Sequence, residues 1–555
     1  TSNQGNKSLA NQRQEHRFLH FKDADSWMKY QEKYGDGDSF SVILNHIDSM
    51  ARDITDLQLF GPNPRTMRSA IETEILKRAS DLDVQNKTGQ NSVRATADIK
   101  KARNIFDVHN NAHNIPLDGR MSEFFVGTRN ILRSAQLGGA VLSAIADVQN
   151  MRIASKMTGL SQVKTLSNFF KHALKGLTTR ERTQFGVSLG LVADNWLSTA
   201  ITQTRFFGDT AGPGITATIS DTVMRITGLS GWTQSGRQSF GMEFLAHMGK
   251  NVTKKFDDID PVLKKALERY GINKDDWAII SKSELREGTF VDVKNINELG
   301  ENKTAIKILE AIVVETEGAV PSSSYRARAT LGGGARAGSI AGEISRSFGM
   351  YKNYPVTIYH THIRRLLGAG RSKNRPGMFA DWFIGVTLMG GLAIQAKQLS
   401  QGRDPRNMTD PSFWVSAIFQ GGGLGIFGDF IASNINRFGA GIQGTIAGPV
   451  FGLLNDSFSL TFGNLKELAE GKDTNFGAEL VKFIGRYSPG SNIWYTRLAL
   501  ERYILNNLQE AIDPKASKAF RRKQKFYRKT YDQKYWWKPG DNVPRRSPNI
   551  GEAFE

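Results

Sequence analysis

The chain has 555 residues, with 73 Lys and Arg against 54 Asp and Glu, a net charge of +19 and no Cys. Disulfides, thiolate zinc sites, Cys-held iron-sulfur clusters and Cys nucleophiles are thereby excluded. A hydrophobic fraction of 39% and a charged fraction of 23% argue against a disordered, collagenous or constitutively multi-span protein, and the positive surplus attracts nucleic acid, anionic lipid or an acidic protein.

Residues 1–17 are polar without an apolar run, so no secretory signal is expected; with Thr1 at its head, the chain reads as a processed product or a piece of a longer one. Residues 1–121 form a polar region predicted to be helical. Ile43, Ile47, Met50 and Ile54 recur at the spacing of one helix face. Pro62 and Pro64 then break the pattern. Residues 122–320 read as a central helical region. Leu137, Val141, Ile145 and Val148 share a face in a stretch without charge from Gln136 to Ala146, the pattern of a buried helix. Phe185 to Ile201 mixes small and apolar residues in a second such helix, and Thr289 to Val293 is the best short strand candidate. Residues 321–342, with Arg326, Arg328, Arg336 and Gly332 to Gly334, read as a flexible basic Gly/Ser linker.

Residues 343–465 form a Gly-rich apolar region, predicted to be helical: Gly377 to Gly463 holds 16 of the 55 glycines in 87 residues. Its apolar runs are Trp382 to Ile394, Phe413 to Ile431 and Phe438 to Leu454. The first has 13 residues against the roughly 20 a membrane span needs, and the others are interrupted by Gln420, Asp429 or Gly448-Pro449. Buried helices crossing tightly at glycine are expected, with membrane contact in a second state left open. Residues 466–555 comprise an amphipathic helix, Trp494 to Ile512, ended by Asp513-Pro514, and a basic-aromatic tail that closes in an extended or disordered segment after Pro539.

That tail is the strongest local signal for a ligand. Lys515, Lys518, Arg521, Arg522, Lys523, Lys525, Arg528, Lys529 and Lys534 are interleaved with aromatic residues that end in Tyr535, Trp536 and Trp537. Cations neutralise phosphates while rings offer stacking surfaces, as in single-strand binding. The same composition suits an anionic bilayer surface or an acidic neighbouring subunit.

The remaining motifs have structural explanations. His109 and His113 are spaced for one metal ion but lack a third ligand, and His360 and His362 have no carboxylate near in sequence. Gly423-x-Gly425-x-x-Gly428 lacks the strand and acidic residue of a dinucleotide site. Gly186-x-Ser188-x-Gly190 lacks the strand of a nucleophile elbow. The acidic pairs Asp36/Asp38, Asp257/Asp258 and Asp275/Asp276 read as solvated loop and helix-start residues. No catalytic residue, metal or cofactor is expected.

Three stretches carry a resemblance. Phe124-Phe125-Val126-Gly127-Thr128-Arg129 with Ser134 to Val148 resembles a segment of very large structural proteins of tailed bacteriophages. So do Phe348-Gly349-Met350-Tyr351-Lys352-Asn353-Tyr354-Pro355, and Gln420 to Phe430 with Ala447-Gly448-Pro449-Val450. Such proteins are similar to internal virion, or ejection, proteins, stored in the capsid near the portal and released with the genome. The resemblance implies a mainly α, multi-copy structural protein that helps build a conduit through the host envelope, with enzymatic domains carried elsewhere in some longer relatives. Its implied partners are portal or core proteins, viral DNA and the host membrane. The expected fold is thus mainly α, an extended multi-domain helical array with little β. No enzyme is expected within these residues because no catalytic constellation is found. The alternative is a nucleic-acid-binding virion module, accessory to packaged DNA or a virion polymerase, acting through the basic-aromatic tail.

Overall fold

The computed structural model describes residues 8–9, 19–34, 39–175, 215–322, 324–368, 375–421, 449–470, 474 and 476–555. The fold is mainly α: among the described residues the only paired strands are β1 (Leu285–Arg286) and β2 (Phe290–Val291), an antiparallel hairpin whose second strand lies within the predicted Thr289 to Val293 and whose first lies just before it. The chain divides into two compact units, residues 1–119 with 328–342, and residues 120–327 with 343–555. The Phe185 helix, the Gly423 and Ser188 motifs and the Asp36/Asp38 pair lie outside the described residues.

In the first unit, α1 (Ala24–Tyr34), α2 (Ser39–Phe60), α3 (Pro64–Asn86) and α4 (Gln90–His109) follow one another. Pro64 opens α3, where its missing N–H leaves no helical bond unmade. Lys87, left-handed at φ 50°, closes it. Asp83 then accepts the Asn91 and Ser92 amides at 2.9 and 2.8 Å, which sets the start of α4. Arg103 pairs with Glu72 at 2.6 Å and cross-links α3 to α4. Residues 328–342 are tied here too: the Ala337 amide donates to the His113 carbonyl and the Leu117 amide to the Ala337 carbonyl, both at 2.9 Å. The stripe of Ile43, Ile47, Met50 and Ile54 is helical, as its spacing predicts, but all four side chains are exposed.

In the second unit, α5 (Gly119–Gln136) and α6 (Asp147–Thr158) are joined by short 3₁₀ and α turns into one nearly continuous helical stretch. It is buried as predicted, although the 3₁₀ turns shift the inward face to Ala140, Ala144 and Asp147. A Cβ on Gly138 would lie 2.2 Å from the Asn492 carbonyl carbon, so glycine is required at that crossing. The main core gathers α6, α7 (Gln162–Lys175), α8 (Leu229–Asn251), α9 (Pro261–Glu268), α10 (Lys274–Lys282) and α11 (Asn302–Ala319) around Phe169, Phe240, Phe244, Trp277, Ile308 and Ile312. Local capping explains the short members. Asp260 caps α9, with Pro261 next, and Asn273 and Asp276 form a reciprocal capping box on α10.

Polar groups knit this core. Glu315, wholly buried on α11, accepts from Arg365 at 2.7 Å and from the Tyr270 hydroxyl at 2.7 Å, and lies 3.3 Å from Arg269. Arg129 and Glu343 form a buried pair at 2.7 Å. The Tyr351 and Tyr354 hydroxyls donate to Gln136 and Asp147 at 2.7 and 2.9 Å, which ties the 348–355 stretch to the 134–148 stretch.

The Gly-rich region supplies α12 (Arg375–Leu399) and α13 (Pro411–Gly421), which cross at the glycines. A Cβ on Gly421 would fall 1.6 Å from the Val386 carbonyl oxygen, and one on Gly390 2.2 Å from that of Ala417. The apolar run at Trp382 is embedded in a helix longer than its 13 residues. Gly377–Leu399 and Gly119–Thr158 are long and apolar enough to cross a membrane; the second is mostly core, whereas the first leaves Ile384, Leu388 and Leu392 exposed. A further helical stretch, α14 (Pro449–Phe458), a π turn and α15 (Asn464–Ala469), exposes Phe458, Phe462, Leu465 and Leu468.

Candidate functional site

The predicted Trp494–Ile512 helix begins at Arg497 and continues through a π turn to Ile512. Asp513 then receives the Lys515 amide at 2.8 Å, and Pro514 cannot extend the helix. The basic tail that follows is α16 (Ala516–Tyr531), a helix without an acidic residue, closed by Asp532 in the left-handed region at φ 47°. One face of α16 packs inward through Ala516 and Phe520, with Tyr527 and Tyr531 half-buried beside them.

The polypeptide after α16 is folded back rather than extended or disordered. Asp404, fully buried in the loop after α12, collects it: the Arg546 guanidinium pairs with its carboxylate, the Asn549 amide donates to it at 2.9 Å, and the Asp404 amide donates to the Lys534 carbonyl at 3.0 Å. The Trp536 and Trp537 amides share the Gly402 carbonyl, and the Met408 amide reaches the Ala553 carbonyl at 2.8 Å. The expectation of a loose end failed because these partners lie more than a hundred residues upstream, where no local pattern marks them.

The same loop covers the aromatic face of α16. Arg403 lies 4.0 Å over the Tyr527 ring and Arg406 4.4 Å over Tyr531, both as cation–π contacts. Beneath them Glu501 lies 3.2 Å from Arg502 and 3.4 Å from Lys523. Burial opposes ionisation of Glu501, but Lys523, Arg502 and Arg497 outweigh it and hold the carboxyl well below its usual range. For the Tyr527 phenol, burial pushes up while Arg403, Lys523 and Arg497 pull down, and the cations prevail. The Arg502 guanidinium also donates to the Trp537 carbonyl at 3.1 Å.

The predicted contact residues therefore separate. Lys515, Lys518, Arg521, Arg522, Lys525, Arg528 and Lys529 are exposed and make no ion pair with any described residue. Lys523 is held by Glu501, and Lys534 by Glu552 at 2.7 Å. Tyr535 is buried, and Trp536 and Trp537 are half-buried, with the Trp537 indole donating to the Asp541 carbonyl at 2.8 Å. Sequence reasoning missed Arg403, Asp404, Arg406, Glu501 and Arg546. Only the density of charge in Arg403-Asp404-Pro405-Arg406, set between two apolar helices, could have singled that loop out. Adjacent like charges on α16 cost about 0.2–0.5 kcal/mol per i,i+3 or i,i+4 pair, a penalty the anchored inner face must offset.

The other candidates take structural roles. His109 lies 3.3 Å from Asp56, and no group of three metal-ligating side chains forms among the described residues. Asp257 bridges Lys264 and Lys274, whose hydrogen bonds pull its carboxyl down to about 2. Asp276 belongs to the capping box. A cavity of about 210 Å³ is lined by Lys164, Lys171, His172, Ser239, Glu243 and Phe290 among others. There His172 Nδ1 and Ser239 Oγ are 2.7 Å apart, the separation of a nucleophile and its base. Ser239 is nevertheless buried mid-helix in α8, and Glu243 pairs with Lys164 at 3.0 Å.

Comparison with protein-family models, curated proteins and solved structures returns no match to this chain.

Proposed function

We propose that the chain is an internal virion, or ejection, protein of a tailed bacteriophage. On this reading it is stored inside the capsid near the portal in several copies, leaves with the genome, and helps form a conduit across the host envelope without enzymatic chemistry of its own. Its partners are further copies, portal or core proteins, viral DNA and, during delivery, the host membrane.

The observation that carries the reading is the outer face of α12. Twenty-three residues, Gly377–Leu399, suffice to span a bilayer, yet the helix is docked in a folded protein with Ile384, Leu388 and Leu392 turned to solvent. Contiguous exposed apolar surface marks a membrane or protein partner. The exposed Phe458, Phe462, Leu465 and Leu468 of the α14–α15 stretch add a second such face. The absence of Cys leaves no disulfide to oppose unfolding during passage through a tail.

The test is flotation of the purified chain with neutral and anionic liposomes, with oligomeric mass by light scattering and dye release. The expected result is binding that survives high salt, a defined oligomer and leakage, because apolar insertion is not screened as surface charge is. Binding abolished by salt, or none, overturns the conduit reading.

A further inference from the structure

We propose that the exposed face of α16 is a docking surface for duplex DNA, gripped through its phosphates alone. The reading above supplies the source of that duplex; the contact itself rests on the helix. At about 100° per residue, Lys518, Arg521, Arg522, Lys525, Arg528 and Lys529 fall within an arc of roughly 120°. At 1.5 Å per residue the stripe is about 17 Å long, with cations at four successive levels. All six are exposed and make no ion pair with a described residue, whereas Lys523, off the stripe, is spent on Glu501. The face is therefore a ruled line of charge with its counter-charge missing, and a duplex, with one phosphate charge per roughly 1.7 Å of axis, is its electrostatic complement.

The same geometry selects among anionic partners. Single strands are held by stacking bases on open rings. Here Tyr535 is buried, Tyr527 and Tyr531 are capped by Arg403 and Arg406, and Trp537 is bonded to Asp541. Phe526 is exposed but packs edge-on to Tyr527 and Tyr531. A bilayer-seeking basic helix needs its apolar face outward, whereas α16 buries that face in the protein. Charge outward and rings inward fit backbone contact without base readout.

Anisotropy of a labelled random 20-base-pair duplex and of a 20-residue oligothymidine, titrated with the full chain between 50 and 200 mM salt, tests this. Six phosphate contacts give a log–log salt slope near −5, a loss of about a thousandfold over that range. Neutralising three of them (Lys518→Gln, Arg522→Gln, Lys525→Gln) is expected to reduce the slope by about 2.7. Neutralising the exposed Lys77, Arg94 and Lys100 of the first unit is expected to leave it unchanged. The duplex is expected to bind more tightly than oligothymidine, with tryptophan emission unaltered. An unchanged slope in the α16 triple variant, tighter binding of the single strand, or quenched tryptophan overturns the proposal. Flotation with neutral liposomes in high salt does not depend on these cations, so failure here and failure of the conduit reading are told apart.

Discussion

His362 lets a stability prediction be worked from the structure. It sits in the π turn Tyr359–Ile363, is fully buried, and stacks on Trp382 with ring centroids 6.1 Å apart and planes at 11°. Burial is the main force on it and the Arg365 charge adds to it; Gly318 and Glu315 pull weakly the other way, and the imidazole is pushed down to about 4. Its unfolded value is 6.5. Between those values the unfolded chain holds a proton the folded chain lacks, so stability rises with pH across the window and is lost as pH falls toward 4. The linkage integral gives a loss, relative to pH 7, of about 2 kcal/mol at pH 5 and about 3 kcal/mol at pH 4. His362→Phe keeps the flat ring and removes the titration. Urea unfolding followed by tryptophan emission from pH 7 to 4.5, for both proteins, cancels the carboxylates they share. The difference between their stabilities should grow by about 2 kcal/mol on going from pH 7 to pH 5. Parallel curves would refute the assignment of acid sensitivity to this ring.

Removing Glu315 strands Arg365 in the core, so Glu315→Ala should destabilise by about 3–5 kcal/mol in the same urea assay, and Tyr270→Phe by about 1 kcal/mol. Gly421→Ala places a methyl against the Val386 backbone, and thermal unfolding should show a loss toward the upper end of about 1–3 kcal/mol. Asp404→Asn weakens the hold on Arg546; limited trypsin digestion should then cut at Arg545 and Arg546 well before the rest of the chain, with far-UV circular dichroism nearly unchanged. Ser239 should resist a fluorophosphonate probe, and stoichiometric labelling lost in Ser239→Ala would count against a non-enzymatic protein.

Helix type was readable where residues repeat locally. The 119–158 stretch, the tight glycine crossing of α12 and α13, and the stop at Asp513-Pro514 follow from spacing, small size and missing N–H groups. The cationic stripe of α16 was also implicit, since Lys518, Arg521, Arg522, Lys525, Arg528 and Lys529 already stand three and four apart. The fate of its rings was not. Composition places cations and aromatics together, but which group faces water depends on Arg403 and Arg406, set by a loop that local pattern cannot connect to residue 527. Ile43, Ile47, Met50 and Ile54 show the converse: periodicity defines a face, and only tertiary packing decides whether it is covered. His362 makes the point for chemistry. Two histidines two apart suggest nothing, yet the π turn sends His362 inward against a tryptophan twenty residues later.

The separation of surfaces in the second unit has a physical consequence. If the proposed roles hold, a cationic face and an apolar face respond oppositely to salt: the first weakens as counterions compete for phosphate, the second does not. Packed against genome, such a chain would be held by α16 wherever free salt is low, while α12 stays docked through its glycine crossing with α13. Release from DNA would cost the α16 contacts without touching that crossing, because the helix is held by Glu501 on Lys523 and by Arg403 and Arg406 over Tyr527 and Tyr531. DNA release and membrane entry are then separable steps, with the second limited by undocking α12 from α13. Substitutions at Gly390 or Gly421 should accelerate liposome leakage while leaving duplex affinity intact, and α16 neutralisation should do the reverse.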